Sequence, residues 1–449
     1  MTKHRPSSMS RRTFVKSSMA AGALFGLDAS RTLALPSMTA SAPIRARNWT
    51  TLPRNNGQTI EASPNDLGGD LQLLRNDDGS FQANRSFVSA AQSTQHRFNM
   101  VGMRWVADVP ESTSMTVEVR GSVNGSDWSV WGKVGHLMDG REERGAASVE
   151  ETWTDAVEMG RATMMQYRIT LTTSDPRVSP TVRRVTATQI DALDSPTLAD
   201  LDSRGRAIPF RVGNGGSPSA RLILRNGPLG WGPEFNASEL PDDDFLYWDP
   251  QPGVYPTEFV TIHHTAGVNN PENPVATVRA IWYYHATYAG NAWGDIGYQY
   301  LVDQYGNVYQ GREGGHATVG AHVGTYNHHN IGISLLGQFQ PGARGVPPSG
   351  EPTAAALDSA MRMAALQAAY WGFDPLQRHP YPKPNTSCRP QFDNFRICSH
   401  RDWHRGQCGR STACPGDNLY LHLPTIRQQA AALIPQINDF HLMSILKKS

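Results

Sequence analysis

The chain has 449 residues, long enough for two domains plus tails at roughly 100–200 residues per domain. Its 41 Lys and Arg against 40 Asp and Glu leave a net charge of +1, so no overall basic field points to nucleic acid. No apolar run reaches the roughly 20 residues that span a bilayer as a helix, so no stable membrane anchor is expected.

At the N-terminus SRRTFVK (10–16) precedes the short apolar run SSMAAGALFGL (17–27), with Ala34, Ala40 and Ala42 as cleavage candidates. Paired arginines before a weak hydrophobic segment resemble a twin-arginine export signal over 1–42, which predicts a secreted or cell-envelope protein. Residues 43–95 are rich in Asn, Ser, Gln and Gly and read as a linker or arm. From 96 to 192 the pattern turns to alternation, in 100–107, 115–123, 128–134, 164–173 and 181–190, with a hairpin signal at Asn124-Gly125. Such short strands without a helical stretch predict a β-sandwich, and the runs 121–131 and 180–190 bear a faint likeness to galactose-binding-like jelly rolls. Trp128 and Trp131 either stack on sugars, making this a wall-binding module, or fill the sandwich core. Residues 193–218 read as a connector.

From 219 to 438 strands and helices alternate, which predicts an α/β domain with a mixed sheet flanked by helices, followed by a tail at 439–449. Asn273 caps a helix that starts at Pro274 and places Val275, Val278, Trp282 and His285 on one face. A second helix fits 353–371 with Gly372 as its stop, and a third begins near Pro424. Strands are expected at 258–263, 298–303, 307–311 and 330–337.

Two of the apolar strands end in histidine. FVTIHHTAG (259–267) and FRICSHRDW (395–403) each present a ring at a strand's end, and TACPGDNLY (412–420) places a cysteine where a loop enters a helix. A thiolate there is favoured by the helix N-terminus and by a metal. The imidazoles of His263 and His400 with the thiolate of Cys414 suit Zn2+ and leave a fourth tetrahedral position open, as hydrolysis requires.

Six motifs in order carry a resemblance: ILRNGPLGWG (223–232), IHHTAG (262–267), WGDIGYQYLVDQYGNVYQGR (293–312), GAHVGTYNHHNIGISLLGQF (320–339), SHRD (399–402) and TACPG (412–416). Together they resemble the type 2 N-acetylmuramoyl-L-alanine amidase and peptidoglycan recognition protein family over about 219–437. The resemblance implies the amidase fold, zinc on His263, His400 and Cys414, and catalytic roles for Tyr298 and Thr412. It implies peptidoglycan as partner and cleavage of the amide joining N-acetylmuramic acid to L-alanine. The alternatives are a non-catalytic peptidoglycan-binding protein of the same fold, whose members commonly lack the cysteine ligand, and a wall adhesin dominated by the β-module. His264, His285, His322 and Asn330 sit in the matching motifs and are read as contacts to muramyl sugar or stem peptide, with structural hydrogen bonding as the competing reading. His316, His328 and His329 read as solvated loop residues.

One departure stands out. His400 and Cys414 are further apart than is usual in the family, with WHRGQCG (403–409) as the insertion, so His404 and Cys408 are candidates for a spectator, a disulfide partner or a substitute ligand. With Cys414 as a ligand, Cys388 is free to pair with Cys398 or Cys408 in an oxidising compartment. The protein is expected as a monomer.

Overall fold

The alternating runs become antiparallel strands whose inward faces share one core. The computed structural model describes residues 44–63, 66–134, 151–225, 256–287, 293–342, 350–381, 393–403 and 412–447; the export segment, most of the ILRNGPLGWG motif, Cys388, His404 and Cys408 lie outside them. The strands are β1 (Arg45–Pro53), β2 (Thr59–Glu61), β3 (Asn84–Val88), β4 (Gln92–Asp108), β5 (Thr113–Ser122), β6 (Gly132–Lys133), β7 (Glu151–Trp153), β8 (Val157–Thr173) and β9 (Thr181–Asp191). Their order is β2-β1-β9-β4-β8-β5-β6, with β3 on β8 and β7 on β4. The long β4 and β8 pair with each other through their first halves. The second half of β8 runs between β3 and β5, while that of β4 runs between β9 and β7. Two faces thus close over Phe98, Met103, Val117, Tyr167, Ile169 and Val185. The register shifts near Phe98 are where the shared strands change partners.

Residues 43–95, expected as a linker or arm, instead supply β1 to β3. β1 pairs with β9 from Arg45↔Asp191 to Thr51↔Val185, and Trp49, Leu71, Phe81 and Phe87 enter the core. Few apolar residues mark this stretch, and its partner strand lies far along the chain, so local composition concealed it. Trp128 and Trp131 are half-buried rather than core-filling: Arg120 lies over both rings, 4.7 and 4.4 Å from their centroids, and Arg168 covers Trp131 at 4.7 Å.

The second sheet contains β10 (Ala207–Pro209), β11 (Arg221–Ile223), β12 (Phe259–His264), β13 (Tyr300–Val302), β14 (Val308–Gln310), β15 (Asn330–Leu335) and, after the separate β16 (Arg378–Pro380) and β17 (Asp393–Phe395) ladder, β18 (Ile397–Ser399). Its order is β10-β11-β14-β13-β15-β12-β18. Parallel pairs at β12 with β15 and β18 join antiparallel pairs at β13 with β14 and β10 with β11, which gives the expected mixed sheet. The connector at 193–218 forms α1 (Leu198–Ser203) and β10, so it belongs to this sheet's edge.

Helices cover both faces. α2 (Pro274–Thr287) begins as the sequence predicts, with Asn273 Oδ1 accepting the Val275 N–H at 3.1 Å. α3 (Ala354–Trp371) is capped by Thr353 Oγ1 and stops at Gly372, whose φ of 73° is the left-handed conformation that favours glycine. Two further helices, α4 (Asp417–Tyr420) and α5 (Leu423–Leu433), precede α6 (His441–Lys447), whose Met443 enters the core, so the expected tail is partly structural. α3 and α5 pack on one face of the sheet. α2 lies on the other, buried nearly all round because the N-terminal sheet covers its outer side through Met100, Trp153 and Ile190.

Candidate metal centre

Sheet register puts two of the candidate ligands side by side. In the parallel β12–β18 pair Ile262 stands opposite Ser399, so the next residues, His263 and His400, leave the sheet together with ring centroids 4.7 Å apart. Cys414 Sγ approaches His263 Nδ1 to 3.6 Å, and the candidate ligand atoms of all three lie within 4.8 Å of one another. All three residues are buried.

The two late segments are tied together behind the ligands. The Arg401 N–H donates to the Cys414 carbonyl at 3.0 Å. The Arg401 guanidinium binds the Ala413 carbonyl and, at 2.6 Å, Asp417. Asp402 accepts the Ser399 N–H at 2.9 Å and hydroxyl at 2.8 Å, and its other oxygen accepts the Tyr420 hydroxyl at 3.0 Å. These bonds close the ends of the inserted loop, so His400 and Cys414 meet despite their longer separation.

His322, read as either a groove contact or a structural hydrogen-bonding residue, is hydrogen-bonded to His263. Its Nε2 lies 3.2 Å from the Asn330 carbonyl, which accepts only from a protonated nitrogen. That leaves Nδ1 as acceptor for His263 Nε2 at 3.0 Å, so the His263 proton sits on Nε2 and the unprotonated Nδ1 is the nitrogen turned to Cys414 Sγ. Gly332 makes room for this ring, since a Cβ there would stand 2.8 Å from His322 Cγ. Asn330 is also internal, accepting from the Thr261 hydroxyl at 2.8 Å and donating to the Tyr326 carbonyl at 3.0 Å.

His264 turns away from the ligand cluster. Its Nδ1 takes the Phe339 N–H at 3.4 Å, and burial, then the Arg401 charge, lowers its pKa to about 3. Its backbone N–H donates to Cys414 Sγ at 3.4 Å. Burial pushes the Cys414 thiol far above its ordinary value, opposed by that N–H. A thiol so placed becomes a thiolate only when a cation compensates the charge, and with two neutral imidazoles it forms a donor set that fits zinc.

Tyr298 packs 5.2 Å from the His263 ring, and burial, then the charges of Asp155 and Cys414, keeps its phenol protonated. The WGDIGY segment is held from beneath by Asp295, whose carboxylate pairs with buried Arg225 at 2.7 Å and accepts the Glu313 N–H at 2.9 Å. His285 lies 5.8 Å from Tyr298, with Nδ1 accepting the Gly297 N–H at 3.2 Å. Burial, then the Arg312 charge, lowers its pKa to about 3, so the ring is neutral and its proton is on Nε2. Thr412 Oγ1 accepts the Cys414 N–H at 3.1 Å.

Other sequence candidates also find their places on this frame. Cys398, a candidate partner of Cys388, is a buried thiol in β18, 3.7 Å from Thr261 Oγ1, while Cys388 lies outside the described residues. His316 is buried against Tyr370 and Trp371 rather than solvated, and His328 is buried as well. Asp155 has no counterpart among the sequence candidates, yet its charge reaches both Tyr298 and Cys414.

Residues 253–417 match the family described as N-acetylmuramoyl-L-alanine amidase, and residues 75–189 match one described as Peptidase C39 N-terminal domain. Peptidoglycan recognition protein 1 of Bos taurus is 33% identical over 168 residues, covering 37% of this chain and 70% of that protein. Peptidoglycan-recognition protein LE of Drosophila melanogaster is 39% identical over 93 residues, covering 20% of this chain and 26% of that protein. The solved structure of Drosophila PGRP-LB wild-type aligns with 46% of this chain and 94% of its own at 23% identity, with a TM-score of 0.32. With a relative one-third identical over most of its own length, and the amidase match spanning His263, His400 and Cys414, the chain belongs to the N-acetylmuramoyl-L-alanine amidase and peptidoglycan recognition protein family.

Proposed function

We propose that the protein hydrolyses the amide between the lactyl group of N-acetylmuramic acid and L-alanine in bacterial peptidoglycan, with zinc held by His263, His400 and Cys414. The observation that carries this reading is the convergence of three buried ligand atoms within 4.8 Å beside a protonated Tyr298. Zinc bound there supplies Lewis acidity, lowering the pKa of water from about 16 to about 7 and polarising the scissile carbonyl. Tyr298 donates a hydrogen bond to the oxyanion that develops on that carbonyl. Thr412 accepts from the Cys414 backbone, which leaves its hydroxyl hydrogen to support the same charge. His285 presents its Nε2–H to an acceptor on the muramyl sugar or stem peptide.

The arginine pair and short apolar run at 10–27 support export to the cell envelope, where this substrate lies. The test is incubation of the metal-replete protein with purified peptidoglycan, with and without a chelator, followed by mass spectrometry. Chelator-sensitive release of stem peptides with free L-alanine amino ends is expected. Intact glycan-peptide with retained binding would replace the hydrolase by a non-catalytic binding protein.

A further inference from the structure

The core of the N-terminal sheet opens at one end. Where β1 pairs with β9, Arg45 stands opposite Asp191 and Arg47 opposite Gln189, so these four residues share one face. Further along that face Trp49 and Ala187 belong to the core, as does Val101, the β4 partner of Gln189. The facing wall comes from β4 at 94–98, where register shifts bend the strand and the Thr94 hydroxyl donates to the Thr163 carbonyl at 3.0 Å. Between them lies a cavity of about 170 Å³ lined by Arg45, Arg47, Arg97, Phe98, Gln189 and Asp191 among others.

Gln189 is 3% exposed, and neither its amide nitrogen nor its amide oxygen has a hydrogen-bond partner. A buried amide left in this way is costly, and it holds both a donor and an acceptor in reserve. Arg45 and Arg47 are exposed and make no hydrogen bond or ion pair among the described residues. Arg97 pairs with the exposed Asp194 at 3.2 Å. Asp191 is the one carboxylate lining the cavity, and its Oδ1 accepts the Leu193 N–H at 3.1 Å. Three guanidiniums against one carboxylate favour an anion, and their forked donors match a carboxylate or a phosphate. The cavity is smaller than the roughly 300–1,000 Å³ of drug-sized ligand sites, so it takes the substituents of one small unit.

We propose that this pocket binds an acidic N-acetyl amino sugar, namely N-acetylmuramic acid with its lactyl carboxylate free. An acetamido group carries one N–H and one carbonyl, the complement of the Gln189 amide, and the carboxylate answers Arg45 and Arg47. The choice of this sugar rests on the hydrolytic reading above. In peptidoglycan the lactyl group is held in a neutral amide, and its cleavage frees an anion on the same ring as the acetamido group. The pocket thus recognises glycan already stripped of stem peptide and keeps the enzyme on strands it has begun to clear. It is separate from the metal centre, since none of His263, Tyr298, His400 and Cys414 lines it.

The test is a ligand-observed NMR titration of the full-length zinc-loaded protein with three probes: N-acetylmuramic acid, its lactyl methylamide and inorganic phosphate. N-acetylmuramic acid is expected to bind, with the neutral methylamide and phosphate each weaker by about tenfold or more. Arg47→Ala removes an exposed, unpaired side chain, and Gln189→Leu keeps the buried volume filled, so both variants should fold. Each is expected to weaken N-acetylmuramic acid about tenfold while cleavage of a soluble muramyl peptide stays within about twofold of wild type. Absence of binding, a methylamide that binds equally well, or binding that survives both substitutions overturns the proposal. Phosphate bound as tightly as the sugar also overturns it, since the pocket would then take any small anion. A protein that binds N-acetylmuramic acid through Arg47 and Gln189 but never cleaves peptidoglycan fails the hydrolytic reading and keeps the pocket.

Discussion

The candidate metal centre and the junction between the two sheets meet on α2, and they are built on opposite principles. Around His263, His400 and Cys414 the packing is polar and directional: His322 sets the His263 tautomer, while Arg401 and Asp402 tie the two late segments. Along the outer face of α2 the packing is apolar, through Met100, Trp153, Val278 and Trp282, with few polar locks. The centre therefore accommodates a longer loop between its ligands, because the loop's ends are bonded to each other. The junction accommodates no added volume at Gly102, because Tyr284 fills the space a side chain would need. Geometry is carried by hydrogen bonds in one region and by shape in the other.

Cys414→Ser is the most severe way to break the polar region. A serine hydroxyl does not become an anion near neutrality, so bound zinc and peptidoglycan cleavage are both expected to be lost, as metal analysis and product mass spectrometry would show. Zinc retained at full stoichiometry would mean that a group outside the described residues completes the site. Tyr298→Phe keeps the packing and removes one donor to the oxyanion. The expected fall in kcat is about 10²–10³-fold with zinc content unchanged.

Glu158 tests the junction through pH. Burial raises its pKa to about 7, opposed by hydrogen bonds from Thr277 and Val268, and one of its oxygens is buried without a partner. A carboxyl whose folded pKa is raised holds its proton in the folded state where the unfolded chain has lost it. Stability therefore falls as pH rises from about 4.5 through about 7. The full effect is on the order of 3 kcal/mol by 1.36 kcal/mol per unit. Glu158→Gln should flatten that slope in denaturant melts at pH 5 and 8, and an unchanged slope would show that Glu158 is not the titrating group.

The convergence of His263, His400 and Cys414 is legible in the sequence because each sits in a short motif with its own chemistry, a strand ending in histidine or a cysteine before Pro-Gly. α2 and α3 are legible from their ends, at Asn273-Pro274 and at Thr353 and Gly372. β1 is not, since its apolar residues are sparse and its identity as a strand comes from pairing with β9. For His322 and Asn330 the sequence leaves groove contact and structural hydrogen bonding both open, because the hydrogen bond from His263 to His322 depends on how β15 lies beside β12.

His322→Gln sharpens the polar side of the comparison. An amide does not hold the His263 ring through the same nitrogen geometry, so zinc affinity is expected to fall about 10–100-fold, measured by competition with a chromophoric chelator. The protein should remain folded, because the substitution leaves the strand pairing of β12 and β15 untouched. An unaltered affinity would mean that His263 is oriented by packing alone, which would make the centre resemble the junction.

Tyr284→Phe makes the smallest change and probes the apolar side. It removes the hydroxyl donated to the Thr154 carbonyl while keeping the ring against Gly102. If shape carries the junction, the loss in a denaturant melt is about 1 kcal/mol, the net worth of one buried hydrogen bond, with no change in the slope of the transition. A loss beyond about 3 kcal/mol would exceed what one unsatisfied carbonyl costs. The bond would then be holding the 154–158 segment in place as a whole, and the junction would depend on direction as much as the metal centre does.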